Sequence, residues 1–293
     1  MKILVMMVWQ LAMVLFPMFR ESDYPVENAS KKFISVEEAC KKGLIQAEWL
    51  GQGSHMGECI SLELKNRSVD SVYILVESGR KLVSQDTALQ DILIIEEERF
   101  ELAAGERTRL SIFGFCCESS MASPSDSSIF LTGRIADEIL VKLANYLDEH
   151  QDLPLSEMQD AVWAISNDHP VSGIYDSDSQ ALKDLKKYVA ELKGEDVPWY
   201  SSEYKKDEDR LFTNFTTSIQ GELEVTIPHN CMVTICIVNS LNQSMEIFEE
   251  DVPYLPGTYS YSFKIPVHTW AKGEYYLKFF TDGNLFFQKS FKL

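Results

Sequence analysis

The chain has 293 residues, and its 45% hydrophobic and 25% charged content, with 14 Gly and 10 Pro, excludes collagen, a low-complexity tail and a wholly disordered polypeptide. The charge is the outlying quantity: 27 basic against 45 acidic side chains give a formal −18, a surface that repels nucleic-acid phosphates and anionic membranes. With 5 His and 6 Cys spread along the chain, there is little material for a His-rich metal site, and no metal or cofactor is expected.

Met1-Lys2, the apolar run Ile3 to Phe16, then Pro17 and Arg20 have the layout of a secretory signal peptide, placed here at residues 1–20. The run is broken by Gln10 and is shorter than the roughly 20 apolar residues that span a bilayer. No second long apolar run follows, so export without a membrane span is expected once the signal is removed. Export makes Cys40, Cys59, Cys116, Cys117, Cys231 and Cys236 candidates for disulfides, and spacing does not choose the pairs. Asn-x-Ser/Thr sequons start at Asn28, Asn66, Asn214 and Asn242.

A polar stretch from Ser22 to Ser30 leads to a short helix or turn at Val36 to Cys40. Period-two alternation then predicts strands at Cys59 to Leu64, Val72 to Val76 and Arg109 to Cys117. Ile92 to Ile95 is uniformly apolar and predicts a strand covered on both faces. Short strands with turns at Asn66-Arg67-Ser68 and Ser78-Gly79-Arg80 predict a β-sandwich. From Ser119 to Tyr200 the period becomes helical. Ile135, Ile139, Leu140, Leu143 and Leu147 share one face, and Leu155 to Ile165 forms a second helix opened by Pro154 and ended by Asn167. A third runs from Ser179 to Leu192 and is closed by Lys193-Gly194.

Lys205 to Arg210 is a charged linker. Beyond it seven strand-like segments are read at Phe212–Thr217, Glu222–Ile227, Met232–Val238, Ser244–Phe248, Ser260–Ile265, Tyr275–Phe280 and Leu285–Phe291. Asn239 to Asn242, Pro256-Gly257 and Asp282-Gly283-Asn284 supply turns, so the segment predicts an immunoglobulin-like sandwich. The expected fold is mainly β with a helical segment: a β-sandwich with three helices over 21–204, and an immunoglobulin-like domain over 205–293.

Two resemblances bear on function. Val233 to Val238, the Gly273-Glu274-Tyr275 lead into a strand, and the final Gln288 to Leu293 resemble the C-terminal sorting domain of type IX secretion cargo. That resemblance implies delivery to the outer surface of a bacterium and contact with secretion machinery. Asn239-Ser240-Leu241-Asn242 stands where that family has an Asp-x-x-Gly turn. Phe115-Cys116, Pro124 and Met158-Gln159-Asp160-Ala161-Val162-Trp163 resemble the bacterial surface thioester domains, with Met158 in place of their Thr. The resemblance implies a Cys–Gln thioester that acylates a host amine, supported by Gln159 and Trp163. The nearest downstream glutamine is Gln220, in Ile219-Gln220-Gly221-Glu222.

Alternation places Cys116 inward beside Leu110 and Ile112 and turns Cys117 outward, so the thioester or disulfide candidates are Cys116 and Cys117. The plainer alternative makes Cys116 a buried apolar residue and pairs Cys117 with Cys59 or Cys40. For Gln159 and Trp163, four apart on one helix face, it is that Trp163 anchors the helix while Gln159 bonds a loop backbone. Asp168, Asp176 and Asp178 are oxygen donors for calcium, or Asp176 or Asp178 caps the third helix. No catalytic residue is assigned, because Gly-x-Ser-x-Gly, His-Glu-x-x-His and phosphate-cradling glycine loops are all missing. The functional expectation is a secreted or cell-surface bacterial binding or adhesion module for an unidentified extracellular ligand. A covalent thioester adhesin and a secreted hydrolase with a carboxylate pair are the alternatives.

Overall fold

Alternating strands dominate both ends of the described chain and amphipathic helices its middle: among the described residues strands account for 47% and helices for 18%. The computed structural model describes residues 32–176, 179–205 and 211–293. The signal peptide expected over 1–20, the stretch to Ser30, Asp178 and the 206–210 part of the charged linker lie outside the described residues.

The first strands, in chain order, are β1 (Ile34–Ser35), β2 (Ile45–Gly51), β3 (Met56–Asn66), β4 (Val72–Val76), β5 (Arg80–Ser84), β6 (Ile92–Ile94), β7 (Glu98–Leu102), β8 (Arg107–Cys116) and β9 (Ile129–Ile135). Helix α1 (Val36–Lys41) follows β1, and the Ser35 side chain caps it by accepting from the Glu38 amide. The expected open sandwich is instead a closed barrel of order β2-β3-β8-β6-β5-β9, flanked by a three-stranded sheet β1-β4-β7. What closes it is β9, in a stretch whose sequence was read as loop and helix. Its outward residues Ile129, Leu131 and Ile135 are apolar although exposed, so the polar half of the alternation is missing. Trp49↔Phe130 and Leu50↔Ile129 pair across the seam, and the Trp49 indole donates to Thr132 Oγ1 at 2.8 Å. Arg80, 1% exposed, ties the surrounding elements together by donating to Glu77, Glu37 and the Gly133 carbonyl.

Helices α2 (Glu138–Glu149), α3 (Leu155–Ser166) and α4 (Gln180–Lys193) follow the predicted spans closely. Asp137 and Ser179 cap α2 and α4 through their side chains, and Gly194 ends α4 at φ +68°. The helices bury Leu143, Leu147, Met158, Val162, Leu185 and Val189 against Leu93, Ile95, Phe115 and Cys117 of the barrel wall. Strand β6 is thus covered on both faces, with Ile92 and Ile94 in the barrel core and Leu93 on the helical side.

The remaining strands are β10 (Tyr200–Tyr204), β11 (Thr216–Ile227), β12 (Cys231–Asn239), β13 (Ser244–Tyr254), β14 (Gly257–Pro266), β15 (Glu274–Thr281) and β16 (Asn284–Lys292). Sheets β10-β11-β14 and β13-β12-β15-β16 enclose a core of Ile219, Val233, Ile237, Leu277, Phe279 and Phe291. Seven strands on this three-plus-four plan make an immunoglobulin-like sandwich. Their identity differs in one place from expectation. Strand β11 joins the segment read at Glu222–Ile227 to Thr216-Thr217, the end of the segment read at Phe212–Thr217, and the seventh strand is β10, ahead of the linker. Gly221 lies inside β11, where a Cβ would meet Trp199 O at 3.2 Å and the Phe263 ring at 3.3 Å. At the Asn239 to Asn242 turn, Asn242 takes φ +59° and Asn239 Oδ1 accepts from the Leu241 and Gln243 amides.

Candidate functional site

The tail of β8 lies against α3, and of the four residues singled out in the sequence it brings Gln159 onto Cys116. Gln159, 2% exposed, grips the strand on both sides of one residue: Oε1 accepts from the Cys116 amide at 3.2 Å and Nε2 donates to the Cys116 carbonyl at 2.8 Å. Ser166 Oγ donates to the Cys117 carbonyl at 2.8 Å, and Asn167 Oδ1 accepts from the Ser119 amide at 2.8 Å. Gln159 therefore bonds a strand backbone, through both its oxygen and its nitrogen. Trp163, 4% exposed, packs between His55 and His169, with centroids 6.4 and 6.0 Å away, and its indole N–H has no partner.

Both cysteines are buried, Cys116 at 0% and Cys117 at 1%. Alternation correctly sends them to opposite faces, but the outer face is no surface, because the helices give it a core of its own. Cys116 shares the barrel interior with Cys59, and Cys117 belongs to the helical cluster. All six thiols are free in the structure. Burial, reinforced at Cys116 by the nearby Cys59, pushes the Cys116 and Cys117 thiols well above the ordinary range, and Cys59 is raised to about 12. Gln220 sits in β11 and pairs with Ser201 and Lys264 of the C-terminal sandwich, and Cys116 has no part in its surroundings. A different glutamine, passed over in the sequence, is buried next to the same strand pair: Gln90 is 0% exposed and precedes by two residues Ile92, the register partner of Cys116. Its Nε2 donates to the Met121 carbonyl, while Oε1 is buried without a partner.

The strand tail continues into a polar clip. Ser119 Oγ lies 2.8 Å from His169 Nε2, and the His169 ring stacks on Phe212 at 3.7 Å. Burial, helped by the Lys193 charge, lowers His169 to about 4, so the imidazole is neutral at pH 7. Lys193 donates to the His169 carbonyl and pairs with Asp168 at 2.9 Å. Asp176 instead contacts Lys186 at 3.3 Å and accepts from Ser201 at 2.9 Å. The two described aspartates proposed for calcium are thus separately paired to lysines, and no metal-binding group of three donors occurs among the described residues. The cap of α4 is Ser179, not Asp176. The Asn66 sequon is closed: Asn66 is 1% exposed and its amide bonds the carbonyls of Asp70, Leu102 and Ala103.

A further concavity lies elsewhere, where α4 and the chain before it meet the C-terminal sandwich. This groove of about 460 Å³ is lined by the aromatic side chains of Tyr175, Trp199 and Phe263 and by polar groups including Lys183, Gln220 and Glu222. Trp199 is fixed by an indole bond to the Ser290 carbonyl at 2.6 Å and lies 5.5 Å from Phe263. Gly221, opposite Phe263 in register, keeps the space between the two rings free of a side chain. Asp176 and Glu222 both line the groove, and Asp176 is paired with Lys186 and bonded by Ser201.

No family model and no curated protein matches the chain. Among solved structures, the chain is similar to a red sea bream transglutaminase at 7% identity and a TM-score of 0.22, over 92% of this chain and 34% of that one. It is also similar to the CBM51-2 and INT domains of Clostridium perfringens ZmpB, a structure in complex with GlcNAc, at 9% identity and a TM-score of 0.19, over 85% and 79%. The chain spans about a third of the transglutaminase. Overlaps this loose set no fold family and carry no functional argument.

Proposed function

We propose that this protein is a secreted or surface-displayed bacterial binding module that holds a saccharide in the groove between α4 and the C-terminal sandwich. The observation that carries this reading is the lining. Three aromatic side chains present flat apolar faces for the C–H face of a sugar, while Gln220, Glu222 and Ser262 offer donors and acceptors for its hydroxyls. Ion pairing of Asp176 to Lys186 favours binding over hydrolysis. The three-plus-four C-terminal sandwich and its Asn turn support a role in delivery or anchoring through secretion machinery. Titration of the full chain against a saccharide panel tests the binding reading. Tyr175→Ala and Gln220→Ala, both outside the packed core, each weaken the best ligand about tenfold, or about 1.4 kcal/mol, without lowering the melting temperature. Absence of saturable binding, or indifference to both substitutions, overturns it.

A second reading, covalent attachment through an internal thioester, draws support from Gln90. Its carboxamide is buried with Oε1 unpartnered, two residues before Ile92, the register partner of Cys116. In that reaction the Cys116 Sγ–Gln90 Cδ bond forms, the Cδ–Nε2 bond breaks, and ammonia leaves with the thiol proton. The mature protein is then about 17 Da lighter than its sequence, and the Cys116→Ala and Gln90→Glu variants each show the full mass of their own sequences. A full mass with a titratable Cys116 thiol ends this reading.

A further inference from the structure

The groove is electrically polarised, and the polarity names the class of ligand. Lys186 is 0% exposed, and its ammonium contacts the Tyr200 carbonyl at 2.8 Å, Ser201 Oγ at 2.9 Å and Asp176 at 3.3 Å. Asp176 is thereby neutralised where it lines the groove. Lys264 is likewise paired with Glu203. Lys183, one turn before Lys186 on α4, is different: it is exposed, lines the groove, and has no acidic partner among the described residues. On the opposing strands β11 and β14, Glu222 accepts from Ser262 at 3.3 Å and has no ion-pair partner among the described residues. Among the described residues, one side of the cavity therefore carries an ammonium without an acidic partner and the other carries hydroxyl-binding oxygens, with aromatic side chains also in the lining.

Resting on the saccharide reading above, we infer that the ligand is a sugar carrying one carboxylate, a uronic acid, seated with the carboxylate at Lys183 and its hydroxyls at Gln220 and Glu222. The net charge of −18 does not forbid this. Exposed charges are screened over about 8 Å at physiological ionic strength, so the neighbouring ammonium outweighs the distant surface. A neutral sugar would leave Lys183 without an anion, and a polyanion would meet Glu222.

The test is calorimetric titration of the full chain with a disaccharide ending in glucuronate and with its neutral glucosyl counterpart. The acidic disaccharide binds about tenfold more tightly, about 1.4 kcal/mol. Lys183→Gln removes that preference while leaving the neutral affinity within about twofold, and Lys183→Arg keeps it. Equal binding of the two sugars, or a preference that survives Lys183→Gln, overturns the carboxylate assignment and leaves the groove reading standing. Binding of neither sugar overturns both.

Discussion

Gln159 is the residue on which the junction of barrel and helices turns. One planar carboxamide satisfies both the amide and the carbonyl of Cys116 in a place where water has no access. The Cys116 amide has a second acceptor in the His55 carbonyl at 3.0 Å, so the carbonyl suffers most from loss of the side chain. Gln159→Leu is expected to cost about 2–3 kcal/mol, the penalty for a buried polar group left unpaired, read as a lower urea midpoint with an unchanged slope. His169 provides a pH signature. Its folded-state value of about 4 lies below the ordinary 6.5, so the unfolded chain takes up a proton over that interval and the folded chain does not. The stability associated with this ring is complete above about pH 6.5 and is lost as pH falls toward 4. Because the ring is partly solvated, the effect is about 1 kcal/mol. Between pH 7 and 4.5 the native protein therefore loses about that much more stability than His169→Gln. Parallel urea midpoints for the two proteins over this range would contradict a neutral, buried imidazole.

At the scale of elements, β8 belongs to two cores at once, and its glycine shows how tightly. A Cβ on Gly114 would stand 2.7 Å from Ile92 Cγ2 and 2.9 Å from the Leu93 carbonyl. The second neighbour is backbone, so relief requires β6 and β8 to part. Gly114→Ala is expected to destabilise by about 2–3 kcal/mol, within the usual range for overpacking, with a melting temperature several degrees lower. Such features explain what the sequence discloses and what it hides. The helices were legible because period, caps and the Gly194 stop agree. Strands β3, β4 and β8 were legible because one face is polar enough to mark the alternation. Strand β9 was not, since its solvent face carries Ile129, Leu131 and Ile135. Cys117 was read as outward because alternation assigns a face but not what covers that face. Gln90 was invisible for a related reason: nothing in the local pattern marks a polar side chain just ahead of Ile92 as buried and half-paired. The groove draws on residues 175 to 264, a span over which no motif spacing could bring them together.

For the molecule as a whole, the mainly β plan with a helical segment follows from composition and period, and the place where one part gives way to the next is set by β10. That strand precedes the charged linker yet pairs with β11 from Tyr200↔Gly221 to Tyr204↔Thr216. Its neighbours reinforce the pairing: Trp199 bonds Ser290, the Tyr200 hydroxyl accepts from the Lys292 amide, and Tyr200 packs edge-on against Phe291. Toward the helices β10 presents Ser201 and Ser202, bonded to Lys186 and Ser172. Cutting there would expose these hydroxyls, which water satisfies readily, and the Phe212 ring that stacks on His169. We therefore place the functional boundary of the C-terminal domain at Trp199 instead of at 205. A fragment of residues 199–293 is expected to fold as a soluble unit with cooperative thermal unfolding. A fragment of residues 211–293 lacks the strand that covers one edge of β11, leaves Phe263 and Phe291 short of their aromatic partners, and is expected to aggregate or to melt without cooperativity. Equal melting temperatures for the two fragments would show that β10 adds nothing to the sandwich and would return the boundary to the linker.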